Sequence, residues 1–443
     1  MMFLVLGLGA TGLSCVRHLT KQKKRVMVAD TRKNPPNLFL FQKEFPDVPI
    51  FLGPFSDAVF EKAETIVMSP GVSLHEPCIQ TALKKNIPVV GDIELFATAA
   101  RAPIVAITGS NGKTTVTTLM GKFIQDAGFR AVVCGNIGLP VLDALQEATP
   151  DYYVVELSSF QLQTTFSLRA KTAVVINVSP DHLDRHKDEA EYIDAKKRVY
   201  LNCDNAIVNA DEKFIWENLN FSKPPIEFTL EKPTKNQWGL LHDNNQTYLA
   251  HGDKKLIATS ALLLQERHNL QNFLVCLAIG ETLQLPIQKM LDTIKTFSGL
   301  AHRCQLIKSQ DGVRWYNDSK ATNVGAAIAA IDSISRINKG RLILIAGGDS
   351  KGVDLTPMQI PVKQSVFQTF VLGKDANLLE KALKDCTSVT RVNTLKEAVL
   401  AAKNMVQTGD IVLLSPACAS LDQYSSYVAR GNDFVNAVEN AYG

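Results

Sequence analysis

Short apolar runs recur along the chain, and each gives way to a glycine-rich or polar loop. They lie at residues 3–6, 25–29, 66–68, 104–108, 152–155, 173–177 and 206–209, and again at 342–346, 366–372 and 411–414. Their length and Val/Ile content predict strands buried on both faces, as in parallel sheets. Between many of them the apolar period lengthens to that of a helix, as at 114–126, 189–200 and 395–406. Such alternation predicts α/β units. A further strand is predicted around 313–316, and the alternating segments 226–230 and 247–250 read as antiparallel strands appended to the middle of the chain. The pattern divides into three blocks, 1–92, 93–298 and 299–443, in keeping with about 150 residues per domain. The first two blocks open alike, with a strand, a glycine turn and a helix.

Charge changes this picture little. Forty-seven Lys and Arg against 44 Asp and Glu leave a formal +3, too balanced for a generic nucleic-acid or membrane field. The cluster Lys21, Lys23, Lys24, Arg25 between a helix and a strand reads as solvated surface. Eight scattered cysteines without metal-ligand spacing fit reduced thiols in a cytoplasmic protein. The apolar opening of the chain lacks a basic start and is broken by Gly7, Gly9 and Gly12, so it reads as strand and turn, not secretion signal. No run is long and apolar enough to span a bilayer.

In open parallel sheets ligands sit beyond the carboxyl ends of the strands, so the loops there carry the candidate chemistry. After the run 104–108 come Gly109, Ser110, Asn111, Gly112, Lys113, Thr114 and Thr115, then a helix. Glycines let backbone N–H groups close around phosphate oxygens, Lys113 adds a mobile cation, and a threonine hydroxyl can reach Mg²⁺. The leading glycine lies four residues before the lysine (113 − 109), a shortened variant of the general phosphate-loop pattern. The ligand expected is ATP. Two later strands end in Glu156 and in Asp181-His182-Leu183-Asp184-Arg185. Mg²⁺ prefers oxygen, which favours Glu156 as a ligand, with His182 second.

The first glycine turn, Gly7-Leu8-Gly9-Ala10-Thr11-Gly12, is followed 18 residues later (30 − 12) by Asp30 at a strand end. Alone, this is a dinucleotide fingerprint and points to a nicotinamide-dependent oxidoreductase. The separate ATP loop argues against that reading. An ATP-binding switch without catalysis is the other alternative.

The segments 108–115 (TGSNGKTT), 156–161 (ELSSFQ) and 181–185 (DHLDR) resemble the Mur ligases, the ATP-dependent amino-acid ligases of peptidoglycan precursor synthesis. The similarity runs from Gly7 to Gly431, and 135–138 (GNIG), 317–323 (NDSKATN) and 415–423 (SPACASLDQ) point to the branch that adds D-glutamate. The resemblance implies three domains on mainly parallel sheets: a Rossmann-like UDP-binding domain, a central P-loop-type ATPase, and a Rossmann-like C-terminal domain that binds the amino acid and part of ATP. It implies UDP-N-acetylmuramoyl-L-alanine, D-glutamate and ATP as substrates, two Mg²⁺ sites and a monomer, with no nucleic-acid partner and no membrane insertion.

Residue by residue, the resemblance implies the following. Thr11, Asp30, Thr31, Arg32, Ser69, Pro70, Gly71, Asn136, Ser158 and His182 bind the UDP substrate. Asn269, Asn272, Arg303 and Asp318 join the phosphate loop on ATP. Thr322, Lys351, Ser420, Leu421 and Tyr427 hold D-glutamate. Thr114, Glu156, His182 and an N-carbamylated Lys196 serve the metals, and Lys113, His182, Lys196 and Lys320 are catalytic. The implied chemistry is attack of the L-alanine carboxylate on the γ-phosphate, then displacement of phosphate from the acyl phosphate by the D-glutamate amine.

Overall fold

A computed structural model of the chain describes residues 1–181, 185–338 and 340–442. Among these residues the strands form three α/β sheets. The first contains β1 (Met2–Leu6), β2 (Arg25–Asp30), β3 (Ile50–Leu52), β4 (Thr65–Met68) and β5 (Val89–Gly91), all parallel, in the order β3-β2-β1-β4-β5. The order reverses beside β1, and a crevice forms at such a switch point.

The second sheet is built from β6 (Ile104–Thr108), β7 (Ala131–Gly135), β8 (Tyr152–Glu156), β9 (Thr172–Val175), β10 (Ala206–Asn209), β11 (Ile226–Phe228), β12 (Gln237–Asp243), β13 (Gln246–His251) and β14 (Lys254–Ala258). Its order is β14-β13-β12-β11-β10-β9-β6-β8-β7. One expectation is corrected here: β11 is not antiparallel but pairs parallel with both β10 and β12. Phe228 is buried in the ladder, and direction reverses only after β12. There Asn244 and Asn245 both take positive φ, 46° and 63°, the conformation a two-residue hairpin turn demands.

The third sheet holds β15 (Gln305–Gln310), β16 (Val313–Asn317), β17 (Leu342–Gly347), β18 (Val366–Leu372), β19 (Ser388–Arg391) and β20 (Ile411–Leu414), in the order β15-β16-β20-β17-β18-β19. Only β15 runs antiparallel. Apolar clusters cover both of its faces, one around Ile331, Leu344 and Leu413, the other around Trp315, Ile345 and Phe434.

The chain divides into two compact units. One comprises Met1–Val178, Ala190–Ala261 and Gln271–Lys295, and so contains the first two sheets; the other comprises Ser179–Glu189, Leu262–Leu270 and Thr296–Gly443. Within the first unit a single hydrophobic cluster joins Val5, Leu8 and Val16 to Phe96, Ala106, Tyr153 and Leu157. Phe96 meets Tyr153 edge-on with centroids 5.1 Å apart, and the Gly91 N–H donates to the Thr164 carbonyl at 3.0 Å. The first two sheets are therefore packed as one body.

Candidate functional site

The first glycine turn leaves β1 at Gly7, whose φ of +86° favours glycine. The helix Ala10–Lys21 then packs so closely that a Cβ on Gly12 would lie 1.8 Å from the Gly7 carbonyl oxygen. Asp30 closes the turn from the next strand: its carboxylate accepts the Leu8 N–H at 2.7 Å and the Arg32 Nη2 at 2.6 Å. Burial works against this carboxylate, but the Arg32 guanidinium and the Leu8 and Arg32 N–H groups outweigh it and hold Asp30 below the usual range. The Ser69 hydroxyl donates to the Gly7 carbonyl at 3.1 Å from the end of β4.

Together these loops wall a cleft of about 720 Å³. Thr11, Asp30, Thr31, Arg32, Ser69, Pro70, Gly71 and Asn136 all line it, which brings together eight residues expected on the UDP substrate. Ser158 is not among the lining residues. Its hydroxyl caps the short helix Ser159–Gln163, accepting the Gln161 N–H at 3.2 Å while the Gln161 side chain accepts the Ser158 N–H at 3.1 Å. Gln161 lines the cleft in its place and donates to the buried Asp92 at 3.0 Å; burial pushes Asp92 up to about 6.

The second glycine loop is closed by cations instead. Gly112, at φ +81°, leads into the helix Lys113–Asp126. Lys113 Nζ curls back onto the carbonyls of Gly109 (2.7 Å) and Ser110 (2.9 Å). Lys196, almost wholly buried on the helix Glu189–Lys197, donates to the same Gly109 carbonyl at 2.8 Å and lies 4.5 Å from the Tyr192 ring centroid. Tyr192 in turn bonds the Ser110 hydroxyl at 2.9 Å, and Asn177 accepts the Asn111 N–H at 2.8 Å. A Cβ on Gly112 would come within 2.4 Å of Asn272 Oδ1, so Asn272 belongs with this loop. Thr115 is buried, whereas Thr114 is only half-buried.

Glu156 connects the two loops. It ends β8 opposite Ile107 in the register, directly before the phosphate loop. Its Oε1 accepts from the Asn136 side-chain amide at 3.0 Å, and Asn136 lines the cleft. Its Oε2 is buried with no hydrogen-bond partner among the described residues. An orphaned carboxylate oxygen beside a phosphate loop suits a hard cation. Among the described residues no three His, Cys, Asp or Glu side chains form a metal-ligating group. An ion here would complete its shell with hydroxyl, substrate and water oxygens, as Mg²⁺ usually does. His182 lies outside the described residues.

The other unit gathers its own set. Asp318, at the end of β16, accepts the Cys304 N–H at 3.1 Å and the Ser415 hydroxyl at 2.9 Å, and burial pushes it up to about 7. Arg303 is among the charges that act on it. Lys320 Nζ sits 3.8 Å from the Tyr427 ring centroid, which pairs a residue expected in catalysis with one expected on D-glutamate. Thr322 follows two residues on, its N–H bonded to the Lys320 carbonyl at 2.8 Å. Lys351 Nζ approaches Asp181 at 3.3 Å, and Asn323 donates to the other Asp181 oxygen at 3.0 Å. Asn269 donates to Glu266 at 2.9 Å. Ser420 is buried and Leu421 is 75% exposed, so a contact through the backbone is what Leu421 can offer.

Two residues here were not anticipated. Arg430 is buried and donates to the carbonyls of Ser319, Gly347 and Cys418, tying the loops after β16, β17 and β20 together. Asp181 anchors Lys351 and Asn323. Nothing in local sequence marks either role, because their partners lie more than 80 positions away for every Ser319 and Gly347 bond and more than 140 for the Asp181 pair.

Residues 1–91 match the family description "Mur ligase MurD-like, N-terminal domain", 107–280 match "Mur ligase middle domain", and 302–418 match "Mur ligase, glutamate ligase domain". The chain is 46% identical over 98% of both lengths to a protein of Coxiella burnetii (strain Dugway 5J108-111) named UDP-N-acetylmuramoylalanine--D-glutamate ligase. It is 43% identical to a Legionella pneumophila (strain Paris) protein of the same name, covering 99% of this chain and 98% of that one. The chain belongs to the Mur ligase family.

In this Mur ligase the first glycine turn therefore has no claim to be a dehydrogenase fingerprint, and its Asp30 is already occupied by Leu8 and Arg32. The fold is shared more widely. A pseudomurein peptide ligase type C from Methanothermus fervidus superposes with a TM-score of 0.63 at 18% identity, covering 99% of both chains. No helix among the described residues is long and apolar enough to cross a membrane.

Proposed function

We propose that this Mur ligase joins D-glutamate to UDP-N-acetylmuramoyl-L-alanine in the cytoplasm, with ATP converted to ADP and phosphate. The observation that carries this reading is the Asn136–Glu156 pair, in which one side chain lines a nucleotide-sized cleft and the other stands beside the phosphate loop. A substrate seated in the cleft would thereby have its acid end near the triphosphate. The full-length likeness to proteins named for this reaction supports the choice of substrates.

The L-alanine carboxylate is inert toward an amine because oxide is a poor leaving group. One of its oxygens attacks the γ-phosphorus of ATP, ADP leaves, and an acyl phosphate forms. The D-glutamate nitrogen adds to the acyl carbon, loses a proton, and inorganic phosphate departs as the amide forms. Lys113, Arg303 and Lys320 supply positive charge to the phosphate oxygens along this path. Asn269, Asn272 and Asp318 orient the nucleotide, and Thr322, Lys351, Ser420, the Leu421 backbone and Tyr427 receive the amino acid.

Thr114 and Glu156 would hold one Mg²⁺; carbamylated Lys196 and His182 would hold a second. Bound Mg²⁺ neutralises the crowded phosphate and carboxylate oxygens. The carbamate is chemically reasonable at Lys196. Lys196 is almost wholly buried and shares the Gly109 carbonyl with Lys113, and carbamylation requires its amine in the neutral form. Such an amine adds CO₂ and releases a proton, turning a cation into an oxygen ligand.

The decisive measurement is ADP release. It should require both UDP-N-acetylmuramoyl-L-alanine and D-glutamate, and hydroxylamine added without D-glutamate should trap a hydroxamate. ADP release indifferent to either substrate would overturn the proposal.

A further inference from the structure

Phe55 is the one aromatic side chain among the described residues that line the 720 Å³ cleft, whose other walls are glycine, aliphatic, polar and charged side chains. It stands on the loop after β3, where Gly53 turns the chain at φ +104°. The Gly53 N–H donates to the Asp30 carbonyl at 2.9 Å, so this loop is referenced to the strand end that also holds Leu8 and Arg32. Three successive strand ends are thus tied into one frame by backbone and carboxylate bonds.

The ring itself is restrained. Phe60, buried in the apolar layer beneath, meets it nearly edge-on at 5.6 Å and 64°. That leaves its position fixed while it still contributes a face or edge to the cleft. Behind it lies a second cavity of about 360 Å³, lined by Ile50, Phe51, Pro54 and Val59 among others, with Phe55 forming part of the wall of both.

The generic geometry of this fold orders a nucleotide along these loops. Phosphates go to the glycine turn and the first turn of the following helix, the ribose to the end of the second strand, and the base beyond it. In this chain the strand beyond β2 is β3, and the loop after β3 carries Phe55.

We propose that Phe55 is a specificity-determining residue that stacks on the uracil ring of the UDP substrate. The assignment rests on the UDP-substrate reading given above. Every base has a π-face, so stacking supplies affinity, while the neighbouring polar groups of Thr31 and Arg32 discriminate the base edge. Because the contact is the same in ground and transition states, it acts on substrate affinity and not on turnover.

Calorimetric titration with UDP tests this. Phe55→Ala should weaken UDP about tenfold or more, and Phe55→Leu, which keeps bulk but has no π-face, should recover little of it. Phe55→Trp should bind UDP as well as the unchanged protein, since the 360 Å³ cavity gives the larger ring room, and should show a fluorescence change on titration. In steady state Phe55→Ala should raise KM for the UDP substrate with kcat and KM for ATP unchanged. Equal UDP affinity in Phe55→Ala and the unchanged protein would overturn the assignment, and full recovery by Phe55→Leu would replace stacking with simple packing. Failure of the unchanged protein to bind UDP at all would instead strike the proposed function.

Discussion

The two glycine turns of the first unit are built from the same parts and closed by opposite charges. At Gly7 the neighbouring strand sends in Asp30, whose carboxylate takes the Leu8 N–H. At Gly109 the loop is gripped by Lys113 and Lys196, both donating to one carbonyl. The first arrangement already contains an anion at the strand end, so it favours a ligand whose phosphates are few and whose sugar and base fill a polar cleft. The second keeps the Lys113 ammonium at the turn, and a carbamate on Lys196 would hold Mg²⁺ beside it, so positive charge gathers where a triphosphate has the most negative charge to offset. Strand, glycine and helix specify a phosphate-binding shape; the side chains that close on the turn decide which nucleotide it serves.

Removing the cation from the second turn should have the largest effect. Lys113→Ala should lower kcat roughly 10³-fold, in the range for loss of one preorganised electrostatic donor. UDP titration should be unaffected, because the first turn is closed independently. A parallel loss of UDP affinity would break the comparison. Lys196→Ala should cost on the order of 10²-fold or more in turnover, the loss expected when a metal-serving group is removed. A short carboxylic acid such as formate should restore part of it, and mass spectrometry of the intact unchanged protein should reveal one added CO₂. Full activity without rescue would remove the carbamate. At the first turn, Gly12→Ala forces a Cβ into the Gly7 carbonyl at 1.8 Å. That overpacking should destabilise the first unit by about 1–3 kcal/mol in urea unfolding and weaken UDP, with ADP binding retained.

Much of the architecture was legible because central parallel strands are continuous apolar runs. The runs at 3–6, 104–108 and 342–346 fall on β1, β6 and β17, which are paired on both sides. The sheet edges were not legible in the same way. β3, β5, β7, β14, β15 and β19 end the three sheets, and none appears among the continuous apolar runs. An edge strand pairs on one side and often exposes one face, so its apolar run is short or interrupted, as in β19 with its mostly exposed Ser388–Arg391.

The site divided similarly. A local motif marked the cleft residues around Gly7 and Asp30, and the family resemblance implied Ser69; each sits at a strand end. Ser158 has a second local role: a serine three positions before glutamine is also a capping box, and the cap engages its hydroxyl outside the cleft lining. Arg430 reaches Ser319 and Gly347, and Asp181 reaches Asn323, across long stretches of sequence, which no spacing rule detects.

The hydrophobic cluster shared by the first two sheets has a consequence for selectivity. Leu8, in the first turn, and Leu157, just past Glu156, both belong to it. The span from the cleft at the first turn to the phosphate loop is therefore set by close-packed side chains, and stretching it would open voids that cost several kcal/mol. On the proposed function this is a fixed gauge: a reactant is measured by the length between its nucleotide and its acid group. Shorter or longer donors that fit both ends separately would still present the carboxylate at the wrong distance from the phosphorus.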